Sequence, residues 1–103
     1  MSLDFVILSK NENPEREICL TVDDHFLLIN LAEKLSLHNL FKIRDYYEDH
    51  IFSVLEANDL LNEIDLVKAN IEKNDSLDQF LNKLIELVEE STKQNKEIHV
   101  IAD

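Results

Sequence analysis

The chain has 103 residues, 45% of them apolar, with 22 acidic and 10 basic side chains and a net charge of −12. The apolar share excludes a disordered chain, the length supports one domain over 1–103, and the charge opposes direct binding to nucleic acid or anionic membranes. The absence of glycine removes every glycine-rich phosphate loop, and the lone Cys19 removes a disulfide framework and a multi-cysteine zinc site.

The opening MSLDFVILSK has too short an apolar run and no basic flank for a signal peptide. No stretch approaches the roughly 18 apolar residues of a membrane span. A soluble, cytoplasmic protein in a reducing compartment is expected.

Phe5 to Leu8 is continuously apolar, as in a central strand covered on both faces. Ser9 to Arg16 is polar, holds the only proline, Pro14, and reads as a loop. Glu17 to Val22 alternates, with Ile18, Leu20 and Val22 on one face, and reads as a second strand antiparallel to the first. Asp23 and Asp24 are good N-caps for a helix from about Asp24 to Leu35, striped by Leu28, Leu31, Ala32 and Leu35. Residues 36–50 have no clear period and read as irregular or short helical.

Ser53 and Glu56 have capping-box spacing ahead of a helix over about Val54 to Glu72, striped by Ala57, Leu60, Leu61, Ile64, Val67 and Ile71. Lys73 to Asp75 is a polar break. Ser76 and Gln79 repeat the capping spacing before a helix striped by Leu77, Leu81, Leu84 and Val88 that ends near Gln94. Glu97 to Asp103 alternates as a closing strand. The expected fold is α+β: a small three-stranded sheet of order 2-1-3, its N- and C-terminal strands parallel neighbours, packed against three or four helices.

The chemistry-bearing residues do not assemble into a catalytic pattern. His25, His38, His50 and His99 lack metal-ligand spacing on any helix. Glu48, Asp49 and His50 read better as a solvated acidic turn than as an ion site. Cys19 reads as a small buried hydrophobe, and Ser36, Ser53 and Ser76 as turn or cap residues. No enzyme, cofactor or metal is expected.

Charge distribution carries more information. Residues 45–67 contain seven acids and no base: Asp45, Glu48, Asp49, Glu56, Asp59, Glu63 and Asp65. Glu56, Asp59 and Glu63 fall on one helix flank, where like charges repel. Leu55 and Leu66 point nearly opposite Ile64, so they are either buried on a second side or exposed beside the acids. The adjacent Tyr46 and Tyr47 are the only tyrosines, and neighbours on a chain seldom face one way, so one is expected inward and one outward. Apolar contact ringed by acids describes a protein interface, with tyrosine as a favoured anchor. The partner-binding candidates are Asp45, Tyr46, Tyr47, Glu48, Asp49, Glu56, Asp59 and Glu63.

In size, acidity and its tyrosine-bearing acidic stretch, the chain resembles bacterial toxin-immunity proteins of contact-dependent and other polymorphic toxin systems. Locally it is similar to barstar-type ribonuclease inhibitors, with adjacent tyrosines ahead of an acidic helix and an apolar closing strand like Ile98-His99-Val100-Ile101-Ala102. The resemblance implies a non-enzymatic inhibitor whose partner is a cognate basic toxin domain, commonly a nuclease. The alternative is an acidic structural or regulatory adaptor, or a homodimeric interaction protein. The sequence leaves the homo-oligomeric state open.

Overall fold

The computed structural model describes residues 2–8, 14–71 and 74–102. Their order is β1 (Leu3–Leu8), β2 (Pro14–Leu20), α1 (Val22–Lys34), α2 (His38–Phe41), β3 (His50–Phe52), α3 (Val54–Asn70), α4 (Asp75–Gln94) and β4 (Ile98–Ala102). The α+β class is as expected, but the sheet has four strands in the order β2-β1-β4-β3, and every pairing is antiparallel. The sequence reading is therefore corrected twice. β4 runs antiparallel to β1, opposing Leu3 with Ala102 and Phe5 with Val100. A further strand, β3, emerges from the stretch read as irregular and pairs Ile51 with His99 and Phe52 with Ile98.

The helices cover one face of the sheet. Leu3, Phe5 and Ile7 of β1, Leu20 of β2, Phe52 of β3, and Ile98 and Val100 of β4 join Leu28, Leu60, Ile64, Leu81 and Leu84 in a single core. The Phe5 and Phe80 rings meet edge to face, 5.4 Å between centroids, and fix α4 beneath β1. β1 is central, as read, but among the described residues no helix caps its second face. There Val6 is buried between its cross-strand neighbours Glu17 and His99.

Capping chemistry sets the helix starts, in one case as expected. Ser53 and Glu56 form a full capping box on α3. α1 is capped by Thr21, whose Oγ1 accepts from the Asp24 N–H, so Asp23 and Asp24 lie in its first turn and not at the cap. α4 is capped by Asn74, whose side chain accepts from the Leu77 N–H, which releases Ser76 from the cap assigned to it. β2 begins at Pro14, earlier than the alternation suggested, and ends before Val22, which opens α1. Proline is compatible with this position because β2 is an edge strand. Residues 9–13 of the expected loop, and Glu72 and Lys73 at the expected break, lie outside the described residues.

With no glycine available, two other residues take left-handed backbone: Ser36 (φ 57°) after α1 and Asn95 (φ 55°) after α4. Asparagine is the next-best residue for such a helix end. The Lys96 N–H reaches back to the Ser91 carbonyl at 3.0 Å, which turns the chain into β4.

β4 has partners on both edges, so its loss orphans two ladders. Deleting Ile98 to Asp103 is expected to abolish cooperative thermal unfolding and solubility. Ile98→Ala, which empties a fully buried position, is expected to cost about 2–4 kcal/mol in urea titration. Unchanged, cooperative melting of the truncated chain would refute this account of the sheet.

Candidate partner-binding surface

The segment from Ile43 to Asp49 contains no regular structure, yet it is fastened at every turn. His25 of α1 donates from Nε2 to the Ile43 carbonyl at 2.7 Å. Tyr46 donates its hydroxyl to the Leu20 carbonyl at the end of β2, 3.0 Å away. The Tyr46 ring stands edge-on to His25 (4.9 Å) and to Tyr47 (5.8 Å). Asp45 Oδ1 accepts from the Tyr47 N–H at 2.9 Å, and Asp49 Oδ1 accepts from the Ala102 N–H at 2.8 Å. Side chains thus bind this segment to α1, β2 and β4, and its shape does not depend on helix or sheet bonding of its own.

The outcome for the tyrosines is one inward and one outward. Tyr46 is buried, and Tyr47 is 67% exposed. On α1, Val22 (55% exposed) and Phe26 (67% exposed) are one turn apart, on the flank next to His25. Tyr47 contacts Tyr46, which in turn contacts His25 of the same helix. Asp23, Asp45, Glu48 and Asp49 are exposed in the same two stretches of chain. Sequence reasoning missed Val22, taken as a strand residue, and Phe26. The available signal was an apolar i, i+4 pair off the stripe of Leu28 and Ala32.

The fold divides the remaining acids. Glu63 accepts from the Asn39 and Leu40 N–H groups, at 3.2 and 2.8 Å. It supplies the cap that α2 lacks from its own Leu37. Glu56 completes the α3 capping box and forms an ion pair with Lys42, itself 3.1 Å from Asn39 Oδ1. These two carboxylates fasten α2 to α3. Asp59 is exposed on α3. Of the eight candidates, Asp45, Tyr47, Glu48 and Asp49 are exposed on the 43–49 segment, Tyr46 is a buried anchor and not a contact residue, and Glu56 and Glu63 carry structural tasks in the fold. Leu55 (78%) and Leu66 (49%) are exposed and not buried on a second side.

The lone cysteine is a further correction. Cys19 is exposed on the open face of the sheet, opposite Asp4. A hydrogen bond to Asp4, with some burial and the charges of Asp4 and Glu17, raises its thiol pKa, which keeps it protonated. Ligand atoms of Asp4, Glu17 and Cys19 lie within 4.8 Å of one another. His50 is half-buried and faces the helices, with its ring 4.6 Å from Phe52 and its Nε2 without a hydrogen-bond partner among the described residues. The expected solvated turn ends one residue before it.

No protein family, curated protein or solved structure matches the chain. No helix among the described residues is long and apolar enough to cross a membrane.

Two groups give the fold separate acid sensitivities. Burial holds the His50 pKa below its ordinary 6.5, so the unfolded chain takes up a proton first and stability falls as pH drops below 6.5. The Lys42 ammonium, helped by the Ser53 N–H, holds the Glu56 carboxyl at about 2, against 4.5 ordinarily, so its contribution is present above 4.5 and is lost as pH falls towards 2. Thermal midpoints measured from pH 7 to pH 2 should show His50→Phe flattening the upper part of the decline. Glu56→Ala, which removes the carboxylate half of the capping box, should lower the midpoint at neutral pH, a loss of stability of up to about 1 kcal/mol, and flatten the lower part. Variants with pH profiles parallel to the parent would contradict both assignments.

Proposed function

We propose that the chain is an immunity-type inhibitor that neutralises a basic protein toxin, a nuclease by preference, through the surface formed by α1 and the 43–49 segment. The observation that carries the reading is the exposure of Val22 and Phe26 on α1 and of Tyr47 on the segment that the buried His25–Tyr46 contact fastens to α1, with Asp23, Asp45, Glu48 and Asp49 exposed in the same two stretches. A large aromatic on a pre-organised base loses little entropy on binding. The acids steer a cationic partner and set its rate of approach, while the buried apolar centre sets its residence time. The net charge of −12 makes the whole molecule a competitor for a surface built to hold a polyanion.

The first test is whether a reading frame with a basic C-terminal domain adjoins the one for this chain; the second is a growth assay in cells that produce that domain, with affinity measured on the purified pair. The parent chain is expected to restore growth. Phe26→Ala with Tyr47→Ala should raise Kd about 30-fold or more, the effect of about 2 kcal/mol at a hot spot. Asp45→Lys with Glu48→Lys should slow association and weaken its salt dependence. The control Asp65→Lys with Glu89→Lys, at exposed acids on α3 and α4, should retain protection. Full protection by the aromatic double variant, or its loss in the control alone, would place the interface elsewhere.

A further inference from the structure

A second feature borders the α1 N-terminus, at Thr21 and Asp24. β2 is the outermost strand of the sheet, and among the described residues no backbone–backbone hydrogen bond leaves its free edge. Beside that edge runs a cleft of about 320 Å³, lined by Glu17, Ile18 and Cys19 of β2 and by Gln79, Phe80 and Lys83 of α4. Thr21, Asp24 and Ser76 close one end of it. Asp24 is a carboxylate only 6% exposed. Its Oδ2 accepts from the Ser76 hydroxyl at 2.5 Å, and no cation pairs with it among the described residues. Removing a carboxylate from water without a counter-charge is costly, so this end of the cleft suits a cation. Lys83 marks the opposite end, about 10 Å along α4 from Ser76.

We propose that this cleft takes an extended, basic peptide segment of the protein partner, which adds to the β2 edge as a fifth strand and sets a lysine or arginine against Asp24. Backbone bonding to an exposed edge supplies affinity, and alternate side chains supply selection. The side chains that face the helices meet the Asp24 carboxylate first, then the apolar floor of Ile18 and Phe80. The required pattern on that face is a cation followed two residues later by an apolar side chain. The charge balance of the chain favours such a segment over a second copy of itself, which also carries −12. The proposal deepens the inhibitor reading and rests on it for the source of the peptide.

The probe is the blocked peptide acetyl-Lys-Thr-Val-Thr-Val-amide, titrated into the isotopically labelled full chain and followed by backbone amide shifts. Saturable shifts are expected at Ile18, Cys19 and Leu20 and at Gln79 and Phe80. A strand bonds through one edge only, so of two peptides N-methylated at alternate residues, one should lose binding and the other keep it. Asp24→Asn, which preserves the size of the side chain, should weaken the parent peptide at least 10-fold, and a glutamate in place of the lysine should do the same. Equal binding of both N-methylated peptides would overturn strand addition, and equal binding of the glutamate peptide would overturn the charge selection. Shifts confined to Asp45–Asp49 would overturn the cleft while leaving the inhibitor reading intact. β2 shifts that grow with protein concentration in the absence of peptide would assign the edge to a second copy and overturn the proposal.

Discussion

β4 lies between β1 and β3 and hydrogen-bonds to both. Its position decides where residues far apart in the chain come to rest. β3 has only three residues and no partner other than β4, and a strand of that length has no independent stability. Once β3 is placed, the preceding segment must span the distance from α2 to the sheet edge. The Asp49 carboxylate then meets the Ala102 N–H and closes the segment onto the end of β4. The exposed tyrosine surface is in this sense a product of the closing strand, although the two are more than fifty residues apart.

Many of the acids are fold-forming donor traps and not surplus charge. Glu63 caps a neighbouring helix, Glu56 caps its own and holds Lys42, and Asp24 takes the Ser76 hydroxyl. A carboxylate that accepts from backbone N–H groups gains a charge-assisted bond and relieves an orphan donor at a helix end. A chain without glycine benefits from this, because its sharp turns and helix ends must be satisfied by side chains.

The elements legible in the sequence were those with long periods or local chemistry. The α3 and α4 stripes and the Ser53–Glu56 box are read from neighbours three or four apart, and the structure places them as read. β3 was not legible, because three residues show no period and their pairing is supplied by β4. Strand direction was not legible either, since nothing in Ile98–Ala102 distinguishes parallel from antiparallel docking beside β1. The cap of α4 was misplaced because Asn74 and Ser76 both suit the position and only packing sends Ser76 to Asp24. The pairing of Glu56 with Lys42 and the capping role of Glu63 were hidden because the partners, Lys42 and the Asn39–Leu40 amides, lie 14 or more residues away. Counting charge along the chain sees only the acids.

The surviving acidic surface raises a question of self-repulsion, since like charges held close destabilise the state that gathers them. The backbone offsets much of this. Asp23 lies in the first turn of α1, where the helix dipole favours negative charge. Asp45 accepts the Tyr47 N–H and Asp49 the Ala102 N–H. Asp45 and Asp49 therefore each have a fixed local donor that leaves their remaining lone pairs in water. Such an arrangement keeps a concentrated negative field at low cost to folding, because the stabilising partner is a dipole and not a neutralising cation. A lysine in the same place would hold the fold equally well and extinguish the field. Among the described residues, the Lys42–Glu56 ion pair belongs to the α2–α3 junction, and the guanidinium of Arg44, the cation next to Asp45, turns to the Phe41 ring and carbonyl.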